Sequence, residues 1–229
     1  MEIPPFMSPK LPDDGAAIYG LRKVFKKAGY DFEIKFIPVP RIRAVGFGDE
    51  KINGFFPSFA DEKFENKLIL SKLFYQTPWV IVERKNNPIH WKTPKDLLKY
   101  KGGNVAGYVL RSQIADAYKN NPQQLESAPN DTVNILKLIH HRIDFIFIDL
   151  NAFRYISSTN AEVHPYADRL QVNPKAIAYN RYGIGFKTDP KSQKIMHDFN
   201  RYISEKEYTN WVTKYIDDQV ASGVSSSSP

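Results

Sequence analysis

The chain has no cysteine, which removes disulfides, thiolate nucleophiles and cysteine-based metal sites from consideration. Its absence fits an oxidising compartment without requiring one. No run of about 18 apolar residues occurs, so no segment reads as a membrane-spanning helix. The opening Met1-Glu2-Ile3-Pro4 lacks the basic and apolar regions of a secretory leader, so the expectation is a cytoplasmic chain or one whose leader has been removed. Gly-x-Ser-x-Gly, the Walker A loop and the dinucleotide fingerprint are also missing. Lysine and arginine number 32 against 25 acidic residues, giving a net charge of +7 and a pI near 9.3. The excess is spread out: Arg22-Lys23 with Lys26-Lys27 form one cluster, and 92–101 forms another with Asp96 inside it. Neither interleaves base-stacking aromatics with a dense arginine stripe, so solvated helix faces explain them better than nucleic acid.

What the sequence does contain is an ordinary globular composition, 42% hydrophobic and 25% charged, with 15 Phe and 13 Tyr. A length of 229 residues accommodates one large domain or two of roughly a hundred residues. Ile18, Leu21, Val24, Phe25 and Ala28 recur at helical spacing over 16–28, with Asp14 placed to cap and Gly29 to stop. Alternation of Phe32, Ile34 and Phe36 with charged residues predicts a strand over 31–37, and 41–50 reads as a short helix. Strands are expected over 67–73, 79–82 and 104–109, with Tyr75, Thr77 and Pro78 in a connection and Gly102-Gly103 in a turn. Thr93-Pro94 opens a helical turn, and 112–120, 131–141, 151–156, 190–203 and 207–216 read as helices.

Two segments repeat a theme. Lys51-Ile52-Asn53-Gly54-Phe55-Phe56 and Arg142-Ile143-Asp144-Phe145-Ile146-Phe147-Ile148-Asp149 each run from a basic residue into an apolar stretch too short for a helix. Each reads as a buried strand preceded by a helix, which suggests two similar α/β lobes. Ligands of open α/β sheets lie beyond the carboxyl ends of the strands, and that directs attention to particular residues. Asp149 ends such a strand, either contacting a ligand ammonium or capping the helix that follows. Tyr108, Arg111 and Ser112 mark a strand, turn and helix start of the kind that favours an anion, although Arg111 reads equally as a surface residue. Phe6, Tyr19, Phe56, Phe59, Tyr75 and Trp79 either wall a cleft or fill a core. Ser58 follows the first buried strand and offers a hydroxyl. The pair His140-His141 and His164 fit structural or exposed roles better than metal ligation, because no short acidic partner motif surrounds them.

The order of certain landmarks resembles the type II periplasmic solute-binding proteins, in particular the family 3 group serving polar amino acid uptake. The landmarks are Pro4-Pro5-Phe6, Arg43-Ala44, Asn53-Gly54, Phe56-Pro57, Leu70-Ser71, Phe74-Tyr75, Asp96-Leu97, Val105-Ala106-Gly107-Tyr108, Arg142-Ile143-Asp144, Asp149 and Tyr182-Gly183-Ile184-Gly185-Phe186. The resemblance covers residues 3 to about 216. It implies an α/β protein of two lobes, each a mixed sheet flanked by helices, joined by crossings near 82–86 and 177–182. Lobe 1 would comprise 1–83 and 182–221, lobe 2 would comprise 84–181, and 222–229 would be a disordered tail.

In that family a small polar solute is trapped between lobes by hinge closure and the closed form is read by a membrane permease. The implied protein is therefore an extracytoplasmic, monomeric, non-catalytic binder without cofactor or nucleic-acid partner. An enzyme or a sensor on the same scaffold is the alternative. The residues implied at the ligand are Phe6, Tyr19, Phe56, Ser58, Tyr75, Tyr108, Arg111, Ser112 and Asp149. Phe64 stands where the family carries an arginine that clamps a ligand carboxylate, and Arg111 is the residue expected to replace it.

Overall fold

Helix α1 spans Ala16–Lys27 and buries Ile18, Leu21, Val24 and Phe25, the stripe that its spacing predicts. In chain order there follow β1 (Gly54–Phe59), β2 (Leu68–Leu70), β3 (Tyr75–Arg84), β4 (Gly102–Val105), α2 (Ser112–Tyr118), β5 (Leu125–Ala128) and α3 (Asp131–Ile139). The remainder is β6 (Phe145–Asp149), α4 (Leu150–Thr159), β7 (Leu170–Val172), β8 (Ala178–Lys187), α5 (Pro190–Tyr202) and α6 (Glu205–Ser226). This computed structural model describes residues 2–37, 41, 47–59, 67–108, 110, 112–175 and 177–226. The chain divides into two units, Met1–Gln76 with Asn180–Asp218, and Thr77–Tyr179 with Gln219–Pro229.

In the first unit β1 and β2 both pair antiparallel with β8. The register of β1 slips between Phe55 and Ser58, where Pro57 has no amide to give the ladder. Aromatic packing holds this unit together. Phe74 and Tyr208 meet edge to face at 4.8 Å, Phe199 touches both Phe74 and Phe25 at 5.2 Å, and the Tyr208 hydroxyl donates to the Ala17 carbonyl at 2.9 Å. Gly20 makes room for that ring, since a Cβ there would lie 2.7 Å from Tyr208 Cε2.

The second unit has a mixed sheet. β6 pairs antiparallel with β3 and parallel with β4, which pairs parallel with β5, while β7 pairs antiparallel with β3. Trp79, Ile81, Leu97, Ile114, Tyr118, Phe145 and Phe147 form its core on one face of the sheet. At the amino-terminal end of β6 the buried Arg84 guanidinium donates to the carbonyls of Leu138 and Ile143 and pairs with Asp144 at 3.2 Å. Asp144 also accepts from the Lys101 amide at 2.9 Å, so it pairs at the start of the strand.

Several expectations are corrected. Asp14 does not cap α1. The cap position is Gly15, whose φ of 101° and whose closeness to Phe6 exclude a side chain, and Asp14 pairs instead with Arg22. Residues 31–37 form no strand and join no ladder among the described residues. Phe32 instead stacks on Phe25 at 4.9 Å. The first repeated segment yields β1, which starts at Gly54 and is mostly half-buried, whereas β6 is buried until Asp149. Tyr75, Thr77 and Pro78 lie inside β3, and Gly102-Gly103 are buried strand residues and not a turn. Strand β4 stops at Val105 and does not run on to 109. Helix α6 continues through Ser226, into the segment read as a tail. The helix expected over 41–50 lies largely outside the described residues.

Candidate functional site

Strands β5, β4 and β6 are parallel neighbours, with Gly102 opposite both Leu125 and Phe145. They therefore finish side by side, at Ala128, Val105 and Asp149, and the chain beyond each end carries polar side chains. This is where open α/β sheets gather ligand-binding groups.

After β4 the chain turns back on itself. The Ala106 amide donates to the Ala128 carbonyl at 2.8 Å, and the Tyr108 amide donates to the Val105 carbonyl at 3.1 Å. The Asn104 side-chain amide reaches the Tyr108 carbonyl at 3.3 Å. Tyr108 is thereby fixed with its hydroxyl donating to Asp131 Oδ2 at 2.9 Å. After β5, Asn130 caps α3 by accepting from the Val133 amide at 2.9 Å. Asp131, next in sequence, is thus relieved of capping and is only 7% exposed. Its Oδ1 is buried and has no hydrogen-bond partner among the described residues. Burial pushes the carboxyl up to about 6, against the pull of the Tyr108 hydroxyl.

After β6, Asp149 caps α4. Its Oδ1 accepts from the amides of Asn151 at 2.8 Å and Ala152 at 3.2 Å, and its Oδ2 accepts from the hydroxyl of the buried Thr77 on β3. Desolvation raises this carboxyl to about 7. The two amides oppose the rise, and the charge of Asp131 adds to it. Two acidic groups that feel each other therefore sit at one end of one sheet.

Of the residues singled out in the sequence, Tyr108 and Asp149 are brought to this end. Ser112 opens α2, which is seven residues long, too short for the dipole argument that favoured an anion there. Arg111, Phe64 and the neighbouring Lys63 lie outside the described residues. The first-unit residues occupy packing positions. Phe6 and Tyr75 are buried with their rings edge to face at 6.1 Å, and Phe56 stacks on Phe74. The half-buried Tyr19 lies against Tyr215 at 5.8 Å, with Lys23 Nζ 4.6 Å from its ring centroid. Ser58 is 1% exposed and donates to the Phe55 carbonyl at 3.1 Å, so its hydroxyl is spent on its own strand. Trp79 is core of the second unit. His140 is exposed at the end of α3, and the His164 ring contacts the Ser157 carbonyl.

Asp131 and Thr77 were missed by the sequence reading. A signal for Asp131 existed: Asn130-Asp131 places two capping residue types in succession, and a helix start uses only one. Thr77 gave no signal, because the proline after it makes its segment look like a break in the strand.

No protein-family profile matches the chain, and no curated protein matches it in sequence. Solved structures do match. An amino acid ABC transporter substrate-binding protein, AbpA from Streptococcus pneumoniae, bound to L-arginine, superposes with a TM-score of 0.68 at 16% identity, covering 97% of this chain and 92% of its own. The GluR0 ligand-binding core from Nostoc punctiforme, in complex with L-glutamate, gives 0.67 at 17% identity, covering 94% and 96%. A histidine kinase sensor domain with similarity to periplasmic binding proteins gives 0.70 at 15% identity, covering 93% and 92%. The chain thus has the two-lobed α/β fold of the type II periplasmic solute-binding proteins.

Proposed function

We propose that this protein captures a small polar, amino-acid-like solute and does so without catalysis. The observation that carries the reading is the convergence of Tyr108, Asp131 and Asp149 at the joined carboxyl ends of β4, β5 and β6. Solved examples of the same fold hold L-arginine and L-glutamate, which supports an amino-acid-like ligand here. In this reading Asp149 and Tyr108 contact the solute, and Arg111 and Ser112 are the residues assigned to its carboxylate. Capture is coupled to bending at β3 and β8, the strands in which the chain passes from one unit to the other. The protein acts outside the cytoplasm as a monomer and delivers its solute to an ABC permease.

A thermal-shift panel of the twenty amino acids, small peptides, amines and carboxylates tests the reading. A solute present at a hundredfold over its dissociation constant adds about 2.7 kcal/mol, which for a chain of this size is a rise of roughly 5–10 °C. If no compound class moves the midpoint, the protein is not a solute binder of this kind. The kinase sensor domain of the same fold supports a second reading, in which occupancy is signalled and nothing is transported. Uptake that persists after deletion of the gene, together with loss of a response to the solute, would select it.

A further inference from the structure

We propose that Asp131, backed by Tyr108 and lying beside Asp149, seats a positively charged side group of the solute, so that the site selects cationic over neutral amino-acid-like molecules. The proposal rests on the solute-binding reading and narrows its substrate class.

Asp149 already receives two backbone amides and the Thr77 hydroxyl, leaving it room for about one more donor. One ammonium, such as the α-ammonium of an amino acid, uses that vacancy. Asp131 is in a different condition. Its Oδ2 is engaged by Tyr108, and Oδ1 is buried with no donor among the described residues. A buried carboxylate oxygen without a donor is costly; the place of Asp131 in the first turn of α3 and the Tyr108 hydroxyl on Oδ2 favour an acid there, but neither supplies Oδ1 with a donor. The cap of the helix is already supplied by Asn130.

A second orphan lies on the intervening strand. Asn104 Oδ1 is buried without a partner among the described residues, while its Nδ2 holds the Tyr108 carbonyl. Both of these atoms are acceptors, one of them an acid, and each suits a donor from a cation. A second carboxylate close enough to Asp149 for their charges to interact calls for a second positive charge on the ligand, beyond the α-ammonium. Ammonium and guanidinium groups both meet that demand, the latter with bidentate geometry.

The test is calorimetric titration of the full chain at pH 7.5 with matched pairs: L-arginine against L-citrulline, and L-lysine against L-norleucine, with L-glutamine and L-glutamate alongside. The expected result is binding of L-arginine, L-lysine or both at least tenfold tighter than the uncharged counterpart, and the two pairs separate a guanidinium from an ammonium site. Asp131→Asn keeps shape and an acceptor for Tyr108, and is expected to bring the charged-to-uncharged ratio towards one while leaving the melting midpoint at or above that of the parent. A role in folding alone would not move that ratio. Should D131N fail to fold, the ratio measured on the parent chain still decides. Preference for L-glutamine, L-glutamate or an uncharged counterpart overturns the proposal and leaves solute binding standing, as does an unchanged ratio in folded D131N. Silence from all six compounds overturns it too, and solute binding falls with it only if the wider panel is silent as well.

Discussion

At the residue scale, Asp149 shows how one side chain can be a cap and still be open to a second role. The sequence leaves both readings of this residue available, and the geometry establishes the cap: Oδ1 receives the first free amides of α4. Because asparagine caps about as well as aspartate, Asp149→Asn separates the roles. The variant is expected to fold normally and to lose at least tenfold in affinity for the solute identified by the panel. Retained affinity would reduce Asp149 to a cap. Thr77 supplies the complementary case. Thr77→Val removes the hydroxyl that Asp149 Oδ2 accepts from and leaves a desolvated oxygen bare, a loss of about 1–3 kcal/mol. Urea unfolding at pH 8 and pH 5 should show the larger loss at pH 8, where the carboxyl is ionised and needs the donor most. An equal loss at both values would trace the penalty to packing.

At the scale of elements, two glycines in β4 explain an error of reading. Gly102-Gly103 looks like a turn, but each glycine is demanded by what presses on the strand. A Cβ on Gly102 would lie 2.6 Å from Phe145 Cζ, and one on Gly103 would meet Asn134 Oδ1 and come within 2.5 Å of Ile143 Cδ1. Gly103→Ala should therefore cost about 1–3 kcal/mol by overpacking, seen as a lower urea midpoint with unchanged slope. Stability equal to the parent would mean that α3 yields freely. The same contrast runs through the fold. Helices α1, α3 and α5 were legible because their apolar stripes are local and periodic, and β6 was legible as a short run buried on both faces. The segment 31–37 alternates like a strand yet joins no ladder among the described residues, since a strand needs a partner as well as a pattern. In the candidate site, Asp149 and Tyr108 were legible from their place after apolar strands. Asp131 was not, because its burial depends on Tyr108, a residue of a different element that no local pattern couples to it. The aromatic residues of the first unit show the converse: Phe6, Tyr75 and Phe56 have the composition of a ligand wall and the contacts of a core.

At the scale of the whole molecule, two populations of carboxylates set opposing trends of stability with pH. Asp49, Asp96, Glu126, Asp189 and Asp198 are held below their usual range, mainly by hydrogen bonds from side chains and backbone amides. Their contribution is present above about pH 4 and fades as the pH falls through their folded-state values. Asp189 is exposed and the other four lie half-buried at the surface, where solvent screening keeps the effect small. Asp131 and Asp149 act the other way. Each carboxyl is raised in the fold, to about 6 and about 7, from an ordinary value near 4. Between those limits the native state binds more protons than the unfolded chain, so stability falls as the pH rises. The slope is at most about 1.4 kcal/mol per pH unit for each group, and the loss is complete above about pH 7. Urea midpoints taken from pH 4 to pH 8 should therefore decline across the upper part of that range, although the net charge of +7 would by itself favour the less cationic, higher-pH state. Asp131→Asn should remove the part of the decline centred below pH 6, Asp149→Asn the part that extends towards pH 7, and both variants should be more stable than the parent at pH 8. A parent midpoint that stays level or climbs from pH 5 to pH 7 would show that these carboxyls are hydrated in solution, and the unsatisfied Asp131 oxygen would then need no ligand.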